Sequence, residues 1–550
     1  MRAKILVKNG IIYDPINKIE GEIKDILIEN GKVVSKFSNN TDIKEIDASG
    51  KTVVPAAIDI HAHIASQQLN WARLIGTRNE QFTSYWKGLT LEHIAKSYIA
   101  NGFTFVLEAN VYPCLSKHTI FDLTRIPVLD TAFLLNLSTF WPLELEFQRG
   151  IVEDGAAFIS YLLNEIKGFG IKAYNPFESE NWNWHVLREN LKEKGRLYNF
   201  SAIDVYENLI KFVEDLELPH ALHAHIEGYE SETGKNNVIE LLEKLSELGL
   251  TPEGSRNEIF HLAHASSYNI DGNNSELIAF YNSHQNYDLD LGFIGFNVIN
   301  PLITSDRRLI NNLTNESNFH KIVRFATEFE GDFFATLRKF DKSNFTHCTI
   351  WANAYELALE IKDKWQVQFS INYPNYADVF DVPEIASLLL SHKAREEYMS
   401  DMNKDFLKEQ TIISNDHTLS FHDYITITRA SPAKSLGLSH IKGSLSEGND
   451  GDLNIIDLNL LDIDPENDYK KIKEALSHIE YVLKAGKVVK NAEIFNMGDS
   501  GNILWASGKV KKEDVNLLLK RKEEFFQMYN SQFLKSYSIS IKDSILRKID

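Results

Sequence analysis

The chain has 550 residues, 43% hydrophobic and 25% charged, a balance that suits a globular protein with a large core and excludes collagen-like, mucin-like and wholly disordered classes. Its 58 basic and 77 acidic side chains leave a net charge of −19; such a surface repels phosphate backbones and argues against nucleic-acid binding. Cys114 and Cys348 are the only cysteines, no apolar run approaches the ~20 residues of a membrane helix, and the first residues lack the apolar segment of a signal peptide, so a cytoplasmic location with no membrane partner is expected.

At roughly 150 residues per domain the length allows three or four domains, yet a single α/β barrel with insertions can absorb more than ~400 residues. Residues 3–54 read as short strands: Ala3-Lys-Ile-Leu-Val-Lys8, Ile11–Tyr13, Asp25–Glu29 and Lys32–Lys36, punctuated by two Asn-Gly pairs, the strongest local hairpin signal. From about 55 to 430, strand-like runs alternate with helical stretches; examples are Thr104-Phe-Val-Leu-Glu108, Gly170-Ile-Lys-Ala-Tyr174, Ala221-Leu-His-Ala-His225, Ile259-Phe-His-Leu-Ala-His264 and Val367-Gln-Phe-Ser-Ile-Asn372. That alternation predicts a parallel sheet, and the number of units favours a closed (β/α)₈ barrel. Asp452-Leu-Asn-Ile-Ile-Asp457 and His478–Val489 return to the hairpin style of the N-terminus. Neither end holds enough strands for a stable sheet by itself. The expected α/β architecture is a barrel over 55–430 inserted into one small β-sandwich domain made of residues 1–54 and 431–500 (two separate small sheets would read alike), with 501–550 as a charged helix and tail outside both, free to dock.

Strand-like Val53–Ile60 runs directly into His61-Ala-His63. Alternation along a strand puts the two imidazoles on one face, about 7 Å apart along the backbone. At the C-terminal end of a barrel strand that face looks into the active-site mouth. Two such imidazoles can share a divalent ion at ~2.0–2.1 Å; the alternative is a hydrogen-bonded core pair. His223 and His225 end a later strand, and His261 and His264 the next. Lys172 lies between apolar neighbours on a central strand, where burial favours the neutral amine, which can take up carbon dioxide as a carbamate. A lysine reaching the barrel rim, or pairing with a carboxylate, reads equally well from the residue alone.

The early β segment, Asp59-Ile-His-Ala-His63, the strand lysine, the two later strand histidines and the closing β segment together resemble the metal-dependent amidohydrolases. Tyr13-Asp-Pro-Ile-Asn17, Gly21-Glu-Ile-Lys-Asp-Ile26, Gly170-Ile-Lys172 with Asn175-Pro176, Leu218–His225, Thr428–Leu438 and Gly501-Asn-Ile-Leu-Trp505 further resemble the A subunits of formylmethanofuran dehydrogenases and of the bacterial formyltransferase/hydrolase complex. The likeness runs nearly end to end and includes the tail Met528–Tyr537.

The resemblance implies a binuclear zinc site: His61 and His63 on one ion, His225 and His264 on the other, and carbamylated Lys172 bridging them. His223 and His261 are then core or supporting residues. It implies hydrolase chemistry at a C–N bond, interconverting the N-formyl amide of a methanofuran-type carrier with formate and amine, in a cytoplasmic complex with partner subunits. Asn70 and Arg73 occupy a family-like stretch after the first strand; Arg73 would grip an anionic part of the carrier or serve as an ordinary ion-pair residue.

One departure stands out. Where the family ends its eighth strand with Asp-His-Pro-Asn, this chain has Asn372-Tyr-Pro-Asn375. A carboxamide cannot take a proton as a carboxylate does, so Asn372 predicts an impaired or rerouted site, or a non-catalytic scaffold role. Asp416, in Asn415-Asp-His417, is the rival strand-eight acid, but it lies only about 15 residues before Ser431. Asp378, His417 and Glu227 are further candidates for a replacement acid or base. An amidohydrolase acting on another small amide is the remaining alternative.

Overall fold

The computed structural model describes residues 4–549 except 66–68, 71–72, 74–88, 141, 144–145, 148–151, 177–187, 189, 196–198, 255, 297–298, 305, 307–308, 310–322, 328–330, 511–515, 517, 521 and 524–536. Eight parallel strands follow one another in chain order: Ala57–Ala62, Phe103–Val111, Asp130–Asn136, Gly170–Tyr174, Leu222–His225, Phe260–Leu262, Tyr287–Asp290 and Val367–Gln368. They are called barrel strands one to eight below. Strand eight approaches strand one through the parallel bridge between Ala62 and Tyr373, where the His63 N–H donates to the Tyr373 carbonyl at 2.6 Å. The sequence sets this up because its strand runs are apolar on both faces, as strands covered by helices must be.

The connecting helices begin where side chains can cap them. Thr90 accepts from the His93 N–H ahead of Leu91–Ala100, and Asn344 from the His347 N–H ahead of Phe345–Glu360. Ser201 and Asp204 form a capping box for Ala202–Asp215. Each such oxygen satisfies an N–H that the helix itself leaves open. The run from Phe421 through Ser435 is continuous helix with a π turn over Thr426–Ala430.

The termini meet as expected. Leu453–Ile456 pairs antiparallel with Thr52–Pro55, joining both ends of the chain in one nine-stranded sheet. A register slip between Val7 and Gly10 in strand Lys4–Asp14 switches its inward set from Ile5 and Val7 to Ile12. A bulge of this kind bends a strand. Here the sheet wraps one apolar cluster that also holds Ile28, Val53, Leu453, Ile455 and Leu483.

The C-terminal segment corrects one expectation. Its described parts do not stand free of both domains. Ile503–Trp505 pairs with strand three at Thr131, and Leu546–Lys548 adds alongside it. The Ala506 N–H reaches the Gly168 carbonyl just before strand four, so the tail strand wedges between strands three and four at their N-terminal ends. Strand three pairs with strand four only from Leu134 onward, which leaves that edge open for it. Leu518, Lys522 and Tyr537 are buried as well. Much of the predicted charged helix and of the Met528–Tyr537 stretch lies outside the described residues.

An insertion that the strand pattern does not predict follows strand seven: Ile299–Thr304, Val323–Thr327 and Gly331–Lys339 form a three-stranded antiparallel sheet. It is fastened to the barrel mouth by a buried bidentate pair, Arg338 to Glu230 at 2.7 and 2.6 Å.

Candidate functional site

Strand register builds the site. Asn136, Lys172, His223, His261 and Asp288 stand opposite one another on strands three to seven and form one inward layer. One layer nearer the mouth come Tyr174, His225, Asp290 and Gln368. Barrel interiors are ordinarily filled by branched apolar residues. Here the two upper layers are polar, while Ile58, Ile60, Phe105, Leu107, Ala132 and Leu134 fill the layer beneath. Register slips between Asp59 and Ala62 on strand one, and between Glu108 and Val111 on strand two, fall at the level of the site. Such bulges re-aim side chains.

A pocket opens at the C-terminal ends of the strands, lined by His61, His63, Lys172, His225 and His264 together with Asn110, Tyr112, Tyr174, Tyr229, Ile303, Thr304, Asn372 and Asn375. All five ligand candidates named from sequence therefore share one cavity. His61 and His63 stand with ring centroids 5.7 Å apart. His225 Nδ1 and His264 Nε2 approach to 2.8 Å, close enough for one ion to serve both. Lys172 Nζ and His225 Nε2 are buried without a hydrogen-bond partner. Buried polar groups are normally satisfied, so these unfilled atoms fit a cation-bearing site.

Carboxylates behind the rings orient them. His63 Nδ1 lies 3.1 Å from Glu108, whose other oxygen accepts the Ile64 and Ala65 N–H groups at 2.7 and 2.9 Å. His61 Nδ1 lies 3.0 Å from Asp290. Because an ionised carboxylate only accepts, both histidines present Nε2 to the pocket, the arrangement in which a buried carboxylate steadies a metal-binding imidazole. A chain of imidazoles supports the same tautomer: His220 Nδ1 donates to the Ser435 carbonyl at 2.8 Å, His220 Nε2 takes the His223 Nδ1–H at 3.1 Å, and His223 Nε2 lies 3.0 Å from His61 Nδ1. Asp290 also receives the His264 backbone N–H at 2.9 Å, a short contact from the Ser370 hydroxyl, and His261 Nε2 at 3.1 Å. One carboxylate thus ties together strands one, six and seven and the end of strand eight. His264 sits at φ 34, and a Cβ on neighbouring Gly292 (φ 65) would meet its Cβ at 2.5 Å. Only glycine fits beside it.

Electrostatics follow this layout. Burial pushes Lys172 down to about 7 against the pull of Asp290. Burial, reinforced by Lys172 and the neighbouring rings, holds His225 well below the usual imidazole range and brings His61 to about 3 in spite of Asp290. His261 goes the other way: burial opposes its charge, but Asp288 at 2.9 Å and Asp290 raise it to about 9. It is an imidazolium between two carboxylates, with no lone pair for a metal. His220, His223 and His261 stand close enough to suggest a further metal cluster, but their nitrogens serve this hydrogen-bonded chain.

The other residues named from sequence separate clearly. Asn372 lines the pocket at φ 42 and accepts from Asn375 Nδ2 at 3.2 Å. Asp416 and His417 are exposed in the loop before Phe421, with His417 held by Glu360; neither approaches the pocket. Asp378 caps a short helical turn through the Phe380 N–H. Glu227 is buried, not surface-facing, and accepts from the Tyr206 hydroxyl at 3.1 Å behind strand five. Asn70 and Arg73 contact each other and do not line the pocket; Arg73 Nε donates to the Leu89 carbonyl at 2.7 Å, while its Nη2 is buried with no acceptor among the described residues. Asp290, Asp288 and Glu108 were missed. The signal was present: carboxylates closing otherwise apolar strands, as in Tyr287-Asp-Leu-Asp290 and Thr104-Phe-Val-Leu-Glu108.

Comparison with known proteins agrees with this geometry. Residues 346–490 match the description of the amidohydrolase family. The chain is 27% identical to Protein FwdA of Methanocaldococcus jannaschii over 561 aligned positions, covering 97% of this chain and 96% of that one. It is 24% identical to the A subunit of the formyltransferase/hydrolase complex Fhc of Methylorubrum extorquens, covering 95% and 94%. The crystal structure of the FhcABCD complex from the same organism, solved with methylofuran, superposes with a TM-score of 0.86 at 21% identity, over 99% of each chain. Barrel, composite sheet and end-to-end sequence likeness together make the chain similar over nearly its whole length to Protein FwdA and to the A subunit of the formyltransferase/hydrolase complex, on an amidohydrolase-type fold.

Proposed function

We propose that the chain is an A-type subunit that binds two zinc ions through His61, His63, Lys172, His225 and His264 and acts on the C–N bond of an N-formyl amide carried by a methanofuran-type amine. The convergence of these five side chains on one pocket, with Lys172 Nζ and His225 Nε2 unsatisfied, carries the reading. Bound there, the ions would polarise the formyl oxygen and activate water. The chain's own residues do the rest. Lys172 is poised as a neutral amine that can add carbon dioxide and become an anionic oxygen donor. Asp290 and Glu108 fix the imidazoles. Asn70 and Arg73 lie outside the pocket wall, so a grip on an anionic part of the carrier would need the carrier to extend past the pocket. The chain works in a cytoplasmic complex with other subunits of the formyltransferase/hydrolase or formylmethanofuran dehydrogenase type; the names of two similar proteins, both from a formyltransferase/hydrolase complex, support the multi-subunit part of this reading. Among the described residues no helix is long and apolar enough to cross a membrane.

Asn372 sets the rate. Among the described lining residues no carboxylate faces the cavity, so proton transfer is impaired or runs through another group. This favours one second reading, a scaffold subunit that keeps metal and fold without turnover. Zinc-supplemented protein, assayed by elemental analysis and by hydrolysis of N-formylbenzylamine, separates the readings. Less than about half an equivalent of metal sinks the site; full metal without any turnover selects the scaffold.

A further inference from the structure

Asn110 lies on strand two within the register slip between Glu108 and Val111, just after the carboxylate Glu108 that steadies His63. It lines the pocket, is only 7% exposed, and its Oδ1 is buried with no hydrogen-bond partner. A buried acceptor left open is costly unless a ligand fills it. Metal binding does not explain this oxygen, since the ligand set is complete without it. Apart from the five ligand candidates, the other polar side chains that line the cavity are hydroxyls and carboxamides: Tyr112, Tyr174, Tyr229, Thr304, Asn372 and Asn375.

We propose that Asn110 is a specificity residue whose Oδ1 accepts the N–H of the substrate's amide, so that the site selects amides carrying an N–H over fully substituted ones. The inference rests on the formyl-amide reading above and deepens it. A secondary formamide, R–NH–CHO, brings one donor beside its carbonyl. A tertiary formamide brings a methyl group instead, and formate brings neither. Sites built to hydrogen-bond a substrate group reject analogues that lack it, because the protein atom is then stranded.

The test is binding of N-formylbenzylamine and of N-formyl-N-methylbenzylamine to the zinc-loaded full chain, followed by saturation-transfer NMR. Wild type should bind the secondary amide about tenfold more tightly, the effect of one buried hydrogen bond. Asn110→Leu and Asn110→Ala, each confirmed folded by thermal melting, should reduce the preference to less than about twofold. Equal binding of both compounds by wild type, or an undiminished preference in both variants, overturns the role of Asn110 while leaving the formyl-amide reading intact. Binding of neither compound by zinc-loaded wild type overturns the formyl-amide reading and this inference with it.

Discussion

Two buried lysines in this barrel have opposite surroundings. Lys442, 2% exposed, lies between the barrel and the composite sheet, with Asp130 and Asp452 at 2.8 Å and Asp450 at 3.3 Å. Lys484, Lys32 and Arg547 complete the neutralisation at 2.7, 2.7 and 2.6 Å. Its carboxylates raise Lys442 above the ordinary amine range although burial opposes them. Lys172, 1% exposed, has no hydrogen-bond partner, and burial lowers it to about 7. A buried charge surrounded by counter-charges is a fastener between parts of the fold. A buried amine that feels Asp290 only at a distance and hydrogen-bonds to none of the described residues is a group waiting for chemistry. The three aspartates at the first site are close enough to resemble a metal cluster, but four basic side chains already occupy their oxygens.

The contrast can be broken at either end. The largest effect is expected where the incomplete cluster is given the charge it lacks. Asn372→Asp adds a carboxylate to the pocket wall and should raise hydrolysis of N-formylbenzylamine by about 10²–10⁴-fold, the usual contribution of a positioned acid or base. An unchanged rate in fully metallated protein would show that proton transfer runs elsewhere. Asp416→Asn should change nothing, because Asp416 is exposed and remote from the pocket.

Next comes the complete cluster. Lys442→Met leaves Asp452 with no cationic partner among the described residues and weakens the neutralisation of Asp130 and Asp450; it should cost up to about 3–5 kcal/mol, the scale of breaking a buried ion network from one side, read as a lower first transition in calorimetry. Lys172→Met should behave in the opposite sense: it removes an unpaired buried amine, so the metal-free protein should melt no lower than wild type. The same variant should lose at least about one equivalent of zinc by elemental analysis, since a bridging ligand serves both ions. If it keeps its full metal content, Lys172 does not bridge.

The smallest effect is acid sensitivity. Asp130 and Asp450 are held below the usual carboxylate range by Lys442, although burial alone would raise them, and Asp450 reaches about 2. A depressed folded value contributes stability that is present above the unfolded value, near 4, and is lost as pH falls through the folded value. Wild type should therefore lose melting temperature between about pH 4 and pH 2. Lys442→Met, left with only Lys484, Lys32 and Arg547 as counter-charges, should show a flatter profile over that range.

Much of this was legible in the sequence because it is local or periodic. His61-Ala-His63, Gly170-Ile-Lys172 and the histidine pairs of strands five and six announce themselves by residue type at strand ends, and five of them do share one pocket. The joining of Thr52–Pro55 to Leu453–Ile456 follows from two incomplete sheets, each needing the other. The choice of Asn372 over Asp416 at the end of strand eight could be weighed from spacing alone, and the structure puts the first in the cavity and the second at the surface.

The rest depends on pairing across long chain separations, which no single segment encodes. Asp290 looks like any polar strand end until strands one, six and eight deliver His61, His261, the His264 N–H and the Ser370 hydroxyl to it. Ile503–Trp505 has the local pattern of a free tail; it finds a place because strand three outruns strand four by several residues. The insertion over 299–339 is held by Arg338 meeting Glu230 from a loop more than 100 residues earlier. Residue type and period determined which groups could do chemistry. Register and burial, which exist only once the strands are side by side, decided which of them are neutral, which are charged, and which are left without a partner.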